Sequence, residues 1–119
     1  RVLVNHLATM KAPPKRFLVA SAVGYYGDRG DDLLTELSTM GDGFLAGLVA
    51  DWEDEAAKAN EAGIATAMLR LGVVFAKEAM AFRRMVLPFQ LGLGGRLGSG
   101  RQWVPWISLQ DLIQSFYLL

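Results

Sequence analysis

The chain contains no cysteine. Disulfides, zinc–thiolate sites and a thiol nucleophile are therefore excluded. Histidine occurs once, at His6, which by itself builds neither a metal site nor a histidine relay and reads as a solvated or satisfied helix residue. Net charge is also lacking: 12 Lys+Arg cancel 12 Asp+Glu. Without a basic excess there is no electrostatic footing for nucleic acid, and with 52% hydrophobic residues the chain is no disordered tail. No apolar run approaches the roughly 18 residues a membrane helix requires, and no signal-peptide pattern opens the chain. These absences point to a soluble, cytoplasmic chain. Its 119 residues suit one compact domain or part of a larger one.

The segments that are present alternate in period. Arg1 to Lys11 places Val2, Leu3, Leu7 and Met10 at helical spacings, and Ala12-Pro13-Pro14-Lys15 ends that helix. Arg16 to Val23 is almost continuously apolar, the pattern of a strand buried on both faces of a parallel sheet. Gly24 to Asp32 is a charged, turn-rich loop. Phe44, Leu45, Leu48, Val49, Trp52 and Ala56 then form an apolar stripe, with Asp51, Glu53, Asp54, Glu55 and Lys58 on the other face. Trp52 reads as core, and Ala62-Gly63 marks the helix end. Thr66 to Phe75 is a second buried-strand candidate. Ala79 to Leu87 predicts a short helix stopped before Pro88, and Leu91 to Gly100, with five glycines, must be irregular. Ser108-Leu-Gln-Asp111 is a capping box that starts a helix carrying Leu112, Ile113, Phe116 and Tyr117 on one face. The alternation is that of an α/β fold.

Several residues invite a chemical reading. Gly24, Gly27 and Gly30 spell GxxGxxG after a strand, the arrangement that cradles a pyrophosphate in dinucleotide folds. The context argues against it, because a charged loop and not a helix follows, and no acidic strand end lies about twenty residues on. Arg96 and Arg101 in the second glycine block suit an anion clamp or a plain surface loop. Trp103 and Trp106 flank Val104-Pro105 and suit a ligand wall or structural packing. Arg70 lies inside an apolar strand and requires a carboxylate partner, most simply in a structural ion pair. Ser21, at the carboxyl end of the first strand with Tyr25 and Tyr26 just beyond, stands where open α/β sheets bind ligands, although such residues are also ordinary at a strand–loop junction.

The stretches Ser21-Ala-Val-Gly-Tyr-Tyr-Gly27, Asp51-Trp-Glu53, Leu69-Arg-Leu-Gly-Val-Val74 and Leu91-Gly-Leu-Gly-Gly-Arg-Leu-Gly-Ser-Gly-Arg-Gln-Trp103 together resemble one family, and Pro105-Trp-Ile107 and Asp111-Leu112 continue the match. It is the sugar-nucleotide epimerase-like group of atypical short-chain dehydrogenases/reductases, also described as cell-division-inhibitor-like proteins. The resemblance implies a Rossmann-like parallel sheet with flanking helices that binds NADP or NAD. By the same mapping residues 1–119 are a partial domain, a C-terminal-half fragment lacking the first strands and the cofactor's own glycine turn. Arg16 to Val23 corresponds to the fifth strand and Thr66 to Phe75 to the sixth. Ser21, Gly72, Val73 and Val74 then lie along the nicotinamide end of the cofactor, and the glycine–tryptophan block, with Arg101, Trp103 and Trp106, faces the substrate.

The sequence also departs from the family pattern. Extended members use a serine or threonine and a Tyr-x-x-x-Lys for proton transfer. Their tyrosine and lysine places fall here on Leu45 and Val49, and the serine place on Ala22, one position from Ser21. Tyr25 or Tyr26, with Ser21, is left as the candidate catalytic group. Two readings follow: an NAD(P)-dependent epimerase or oxidoreductase acting on a small nucleotide-sugar-like substrate, or a cofactor-binding or regulatory protein without turnover. A partial sheet would also expose strand edges through which copies can associate.

Overall fold

The computed structural model describes residues 1–96 and 98–119. They form two compact units, Arg1–Leu71 and Gly72–Leu119. Both are α/β, with parallel strands and accompanying helices.

In the first unit, helix α1 (Val2–Thr9) gives way to strand β1 (Arg16–Ala22) across the two prolines. A single 3-10 turn (Val23–Tyr26) follows, and then a long irregular connection to helix α2 (Phe44–Ala57). A second 3-10 turn (Lys58–Ala62) ends at Gly63, whose φ of 78° is the left-handed conformation that glycine adopts without a Cβ penalty. Strand β2 (Ala65–Leu71) then pairs in parallel with β1, from Arg16 opposite Ala65 to Ser21 opposite Arg70 and Ala22 opposite Leu71. The crossover through α2 is the connection that a parallel pair requires. Val4, Ala59 and Ile64 form the core, with Leu7 and Phe17 packed against them.

Neither strand is buried on both faces. Only Val19 of β1 is buried and no residue of β2 is. The reason is geometric, since a sheet of two strands consists of edges only. Helix α2 differs from its sequence pattern in the same way. It buries Ala46, Val49, Glu53 and Ala56, and leaves Leu45, Leu48 and Trp52 exposed. Trp52, expected in the core, is 57% exposed. The buried arc has Val49 and Glu53 at its middle, with the small residues Ala46 and Ala56 on its margins. That rotation carries Glu53 inward and turns one shoulder of the apolar stripe to solvent.

In the second unit, strand β3 (Val73–Phe75) pairs in parallel with β4 (Trp106–Ser108), a strand with no counterpart in the sequence reading. The predicted strand over 66–75 is therefore two strands divided at Gly72. A Cβ at that position would lie 2.4 Å from the Pro105 carbonyl oxygen, and Val73 N–H donates to the same oxygen at 2.8 Å. The chain thus leaves one pairing and enters another where only glycine fits. Helix α3 (Met80–Gln90) does not stop before Pro88 but includes it. Proline lacks one donor, and the last turn closes around it through Leu91 N–H to the Leu87 carbonyl and Leu93 N–H to the Pro88 carbonyl. Helix α4 (Leu109–Leu118) is capped as expected: Ser108 Oγ accepts from Asp111 N–H at 3.0 Å and donates to the Asp111 carboxylate at 2.7 Å.

Candidate functional site

The two parallel strands of the first unit end side by side, and chemistry gathers at their carboxyl ends. Register puts Ser21 opposite Arg70. Helix α2 presents Glu53 to both from its buried face, and the 3-10 turn after β1 brings in Tyr25 and Tyr26.

Arg70 grips Glu53 as a fork, with Nε donating to Oε1 at 2.9 Å and Nη2 to Oε2 at 2.7 Å. Ser21 Oγ donates to the same Oε1 at 2.5 Å. The remaining guanidinium nitrogen, Nη1, donates to the Tyr26 hydroxyl at 3.0 Å. The guanidinium carbon lies 3.5 Å from the centre of the Tyr25 ring, a cation–π stack. The two tyrosine rings meet edge to face at 5.3 Å. One ion pair thus joins β1, the turn, α2 and β2.

The electrostatics follow from this geometry. The Arg70 hydrogen bonds hold the Glu53 carboxyl below the usual carboxylate range; burial opposes them and the Ser21 hydroxyl assists. Arg70 is pushed up in turn, chiefly by its hydrogen bond to Glu53. Both groups are therefore charged at neutral pH. The ionised carboxylate can only accept, so the Ser21 proton is committed to it. What Ser21 still offers is an acceptor. Tyr26 accepts from Arg70, and none of the described residues accepts its own proton, so what it offers is a donor.

A glycine absent from the sequence motifs locks the turn. Gly41 N–H donates to the Tyr25 carbonyl at 3.0 Å, and a Cβ on residue 41 would lie 2.0 Å from the Tyr26 carbonyl oxygen. Gly24 and Gly27 of the GxxGxxG stretch line a groove of about 470 Å³ with Asp28, Asp42 and the first turn of α2. Two carboxylates repel a pyrophosphate, and α2 begins only at Phe44, so this turn does not fit a dinucleotide's phosphates.

Of the sequence candidates, Ser21, Tyr25 and Tyr26 come together in this cluster. Gly72, Val73 and Val74 belong to the second unit, where the absent side chain of Gly72 is accounted for by the approach of Pro105. Arg101 and Trp103 are exposed on the same unit. Trp106 keeps 62% of its surface exposed while stacking on Phe75, with ring centres 5.5 Å apart. Leu97, within the glycine block, lies outside the described residues. Sequence reasoning misses Glu53 as a site residue because the apolar stripe of α2 places it on the polar face. The available signal was Arg70, a cation in an apolar strand that needed a carboxylate from a neighbouring element.

No family model matches the chain. It is 44% identical over 108 residues to an epimerase family protein of Mycobacterium leprae, covering 91% of this chain and 35% of that one. It is 39% identical over 115 residues to the chloroplastic epimerase family protein SDR39U1 homolog of Arabidopsis thaliana, covering 97% and 33% respectively. Among solved structures, the nucleoside-diphosphate sugar epimerase of Corynebacterium glutamicum superposes with a TM-score of 0.83 at 36% identity, covering 98% of this chain and 25% of that one. Human epimerase family protein SDR39U1 (isoform 2), solved with NADPH, gives 0.78 at 33% identity, covering 93% and 38%. The chain spans about a third of the length of the curated relatives it matches. It belongs, as that stretch, to the epimerase family of these proteins.

Proposed function

We propose that the chain carries the nicotinamide-facing and substrate-facing part of an NAD(P)-dependent epimerase or oxidoreductase whose substrate is a small nucleotide-sugar-like molecule. The observation that carries this reading is the convergence of Ser21, Tyr25, Tyr26, Glu53 and Arg70 at the carboxyl ends of two adjacent parallel strands, where ligands of open α/β sheets bind. The human relative solved with NADPH makes NADP the first cofactor to test. A bound nicotinamide would supply hydride transfer. The chain's own part is to present a fixed acceptor at Ser21 and a fixed donor at Tyr26, and to orient the ligand between them. Arg101, Trp103 and Trp106 on the second unit are the residues for an anionic, ring-bearing substrate.

A second reading, cofactor binding without turnover, has an observation in its favour. Every described polar side-chain atom buried from solvent has its partner, and Leu45 and Val49, which move no proton, stand at the tyrosine and lysine places of the extended pattern. The experiment that separates the two incubates the chain and NADP+ with nucleotide sugars and follows both the reduced-nicotinamide band and the configuration of the recovered sugar by NMR. Appearance of the band, as hydride passes from a sugar carbon to the nicotinamide, or an epimerised sugar with the cofactor returned unchanged, supports turnover. Saturable binding with neither change supports the second reading. The open edges of β1 and β2 further suggest that copies associate through them, which sedimentation of the purified chain checks.

A further inference from the structure

We infer that Glu53 and Arg70 are positioning residues that set the hydrogen-bond polarity of two hydroxyls, fixing Ser21 as an acceptor and Tyr26 as a donor toward a ligand's neutral donor–acceptor group. The inference deepens the reading above and rests on it. A free hydroxyl rotates and serves as donor or acceptor as needed, so an unconstrained Ser21 and Tyr26 would discriminate little. Here Glu53 Oε1 takes the Ser21 proton at 2.5 Å, and Arg70 Nη1 fills an acceptor site of Tyr26 at 3.0 Å. The same carboxylate and guanidinium hold each other through two further bonds. Ser21 cannot turn its proton outward without breaking a charge-assisted bond, roughly twice as strong as a neutral one, and Tyr26, with one acceptor site filled by Arg70, is left with a proton to donate. Tyr26, at 8% exposure, and the Tyr25 ring beneath the guanidinium leave the pair little freedom to shift.

The matching ligand group offers a donor to Ser21 and an acceptor to Tyr26. A primary carboxamide does so, as in the nicotinamide ring, and so does a sugar hydroxyl. The shared chemistry is a small neutral group that both donates and accepts, and the two sources are separated by the probe.

The test is a double-mutant cycle between Glu53→Gln and Ser21→Ala, read by titration of the purified chain with NADPH in one arm and UDP-glucose in the other. The amide introduced by Glu53→Gln keeps an acceptor oxygen at only one of the two positions, Oε1 or Oε2. Arg70 loses half of its fork in either orientation, and with the NH2 at the Oε1 position Ser21 also loses its acceptor and is freed to turn its proton outward. Each single variant is expected to weaken binding about three- to tenfold, and the double variant no more than the weaker-binding single one, a coupling that independent sites do not show. Ser21→Thr, which keeps the hydroxyl, is expected to retain affinity. Coupling in the NADPH arm assigns the group to the cofactor, and coupling in the UDP-glucose arm assigns it to the substrate. Multiplicative losses in both arms, or single variants that bind as the wild type does, overturn the inference while leaving the proposed function standing. A wild type that binds neither probe overturns the proposed function and this inference with it. Should Glu53→Gln fail to fold by circular dichroism, Arg70→Lys, which keeps the charge and loses the fork, replaces it in a cycle with Tyr26→Phe and is judged by the same criteria.

Discussion

Replacing Glu53 by Gln removes one charge from the point where four segments of the first unit meet. Its consequence for stability can be worked from the geometry. Breaking a buried ion pair by removing one partner costs about 3–5 kcal/mol, because the other charge is left without compensation. The Arg70 and Glu53 side chains retain 20% and 11% exposure. Solvent screening therefore lowers the expected loss to about 2–3 kcal/mol. For a domain of this size that corresponds to a fall in Tm of roughly 10–20 °C. Urea unfolding followed by circular dichroism at pH 7 measures it. The pH dependence supplies an internal control with a definite sign. Glu53 is held below its unfolded value, so its contribution is complete above the usual carboxylate range and is lost as pH falls through the depressed value. Wild-type stability should decline on acidification, and the difference between wild type and Glu53→Gln should shrink in parallel. A loss below about 0.5 kcal/mol at pH 7, the range of an ordinary surface substitution, would refute the reasoning. So would a difference between the two proteins that does not change with pH.

Other perturbations follow from the same contacts. Glu55→Gln removes the exposed ion pair with Lys58 and should leave the unfolding midpoint unchanged, in contrast with Glu53→Gln. Gly41→Ala places a Cβ 2.0 Å from the Tyr26 carbonyl oxygen, and Gly72→Ala places one 2.4 Å from that of Pro105; each should cost about 1–3 kcal/mol or more in chemical denaturation. Gly24→Ala meets nothing within 4 Å and lies outside the positive-φ glycines, so it should leave both stability and NADPH affinity intact. Lost affinity in that variant would make the GxxGxxG turn a phosphate site after all. Trp52→Ala should cost less than about 1.5 kcal/mol, well under the roughly 3–5 kcal/mol of a core tryptophan, because the side chain is 57% exposed.

The helices and the first strand were legible in order because their ends rest on local rules, whereas β4 and the division of β2 from β3 were not. Pro13 and Pro14 stop α1, Gly63 takes the left-handed cap, and Ser108 with Asp111 starts α4. Less legible was anything decided by contact across the chain. Hydrophobic periodicity located α2 and two of its buried residues, Val49 and Ala56, but misjudged the arc, which takes in Ala46 and Glu53 and leaves Leu45, Leu48 and Trp52 exposed. The same misjudgement hid Glu53, whose inward turn is explained only by the cation in β2. The break at Gly72 was invisible within an unbroken apolar run, because its cause, Pro105, lies more than thirty residues downstream. The hydroxyls of Ser21 and Tyr26 were readable as candidates from their position after β1. The ion pair that orients them was not.

The central claim is that the hydroxyl cluster at the ends of β1 and β2 engages a nicotinamide cofactor or its substrate. The most direct measurement is a titration of the 119-residue chain with NADPH by fluorescence and with UDP-glucose by calorimetry, each repeated on Ser21→Ala. The account predicts saturable binding that weakens about three- to tenfold in the variant for at least one of the two. Absence of binding of both, or binding of both indifferent to Ser21, would contradict it.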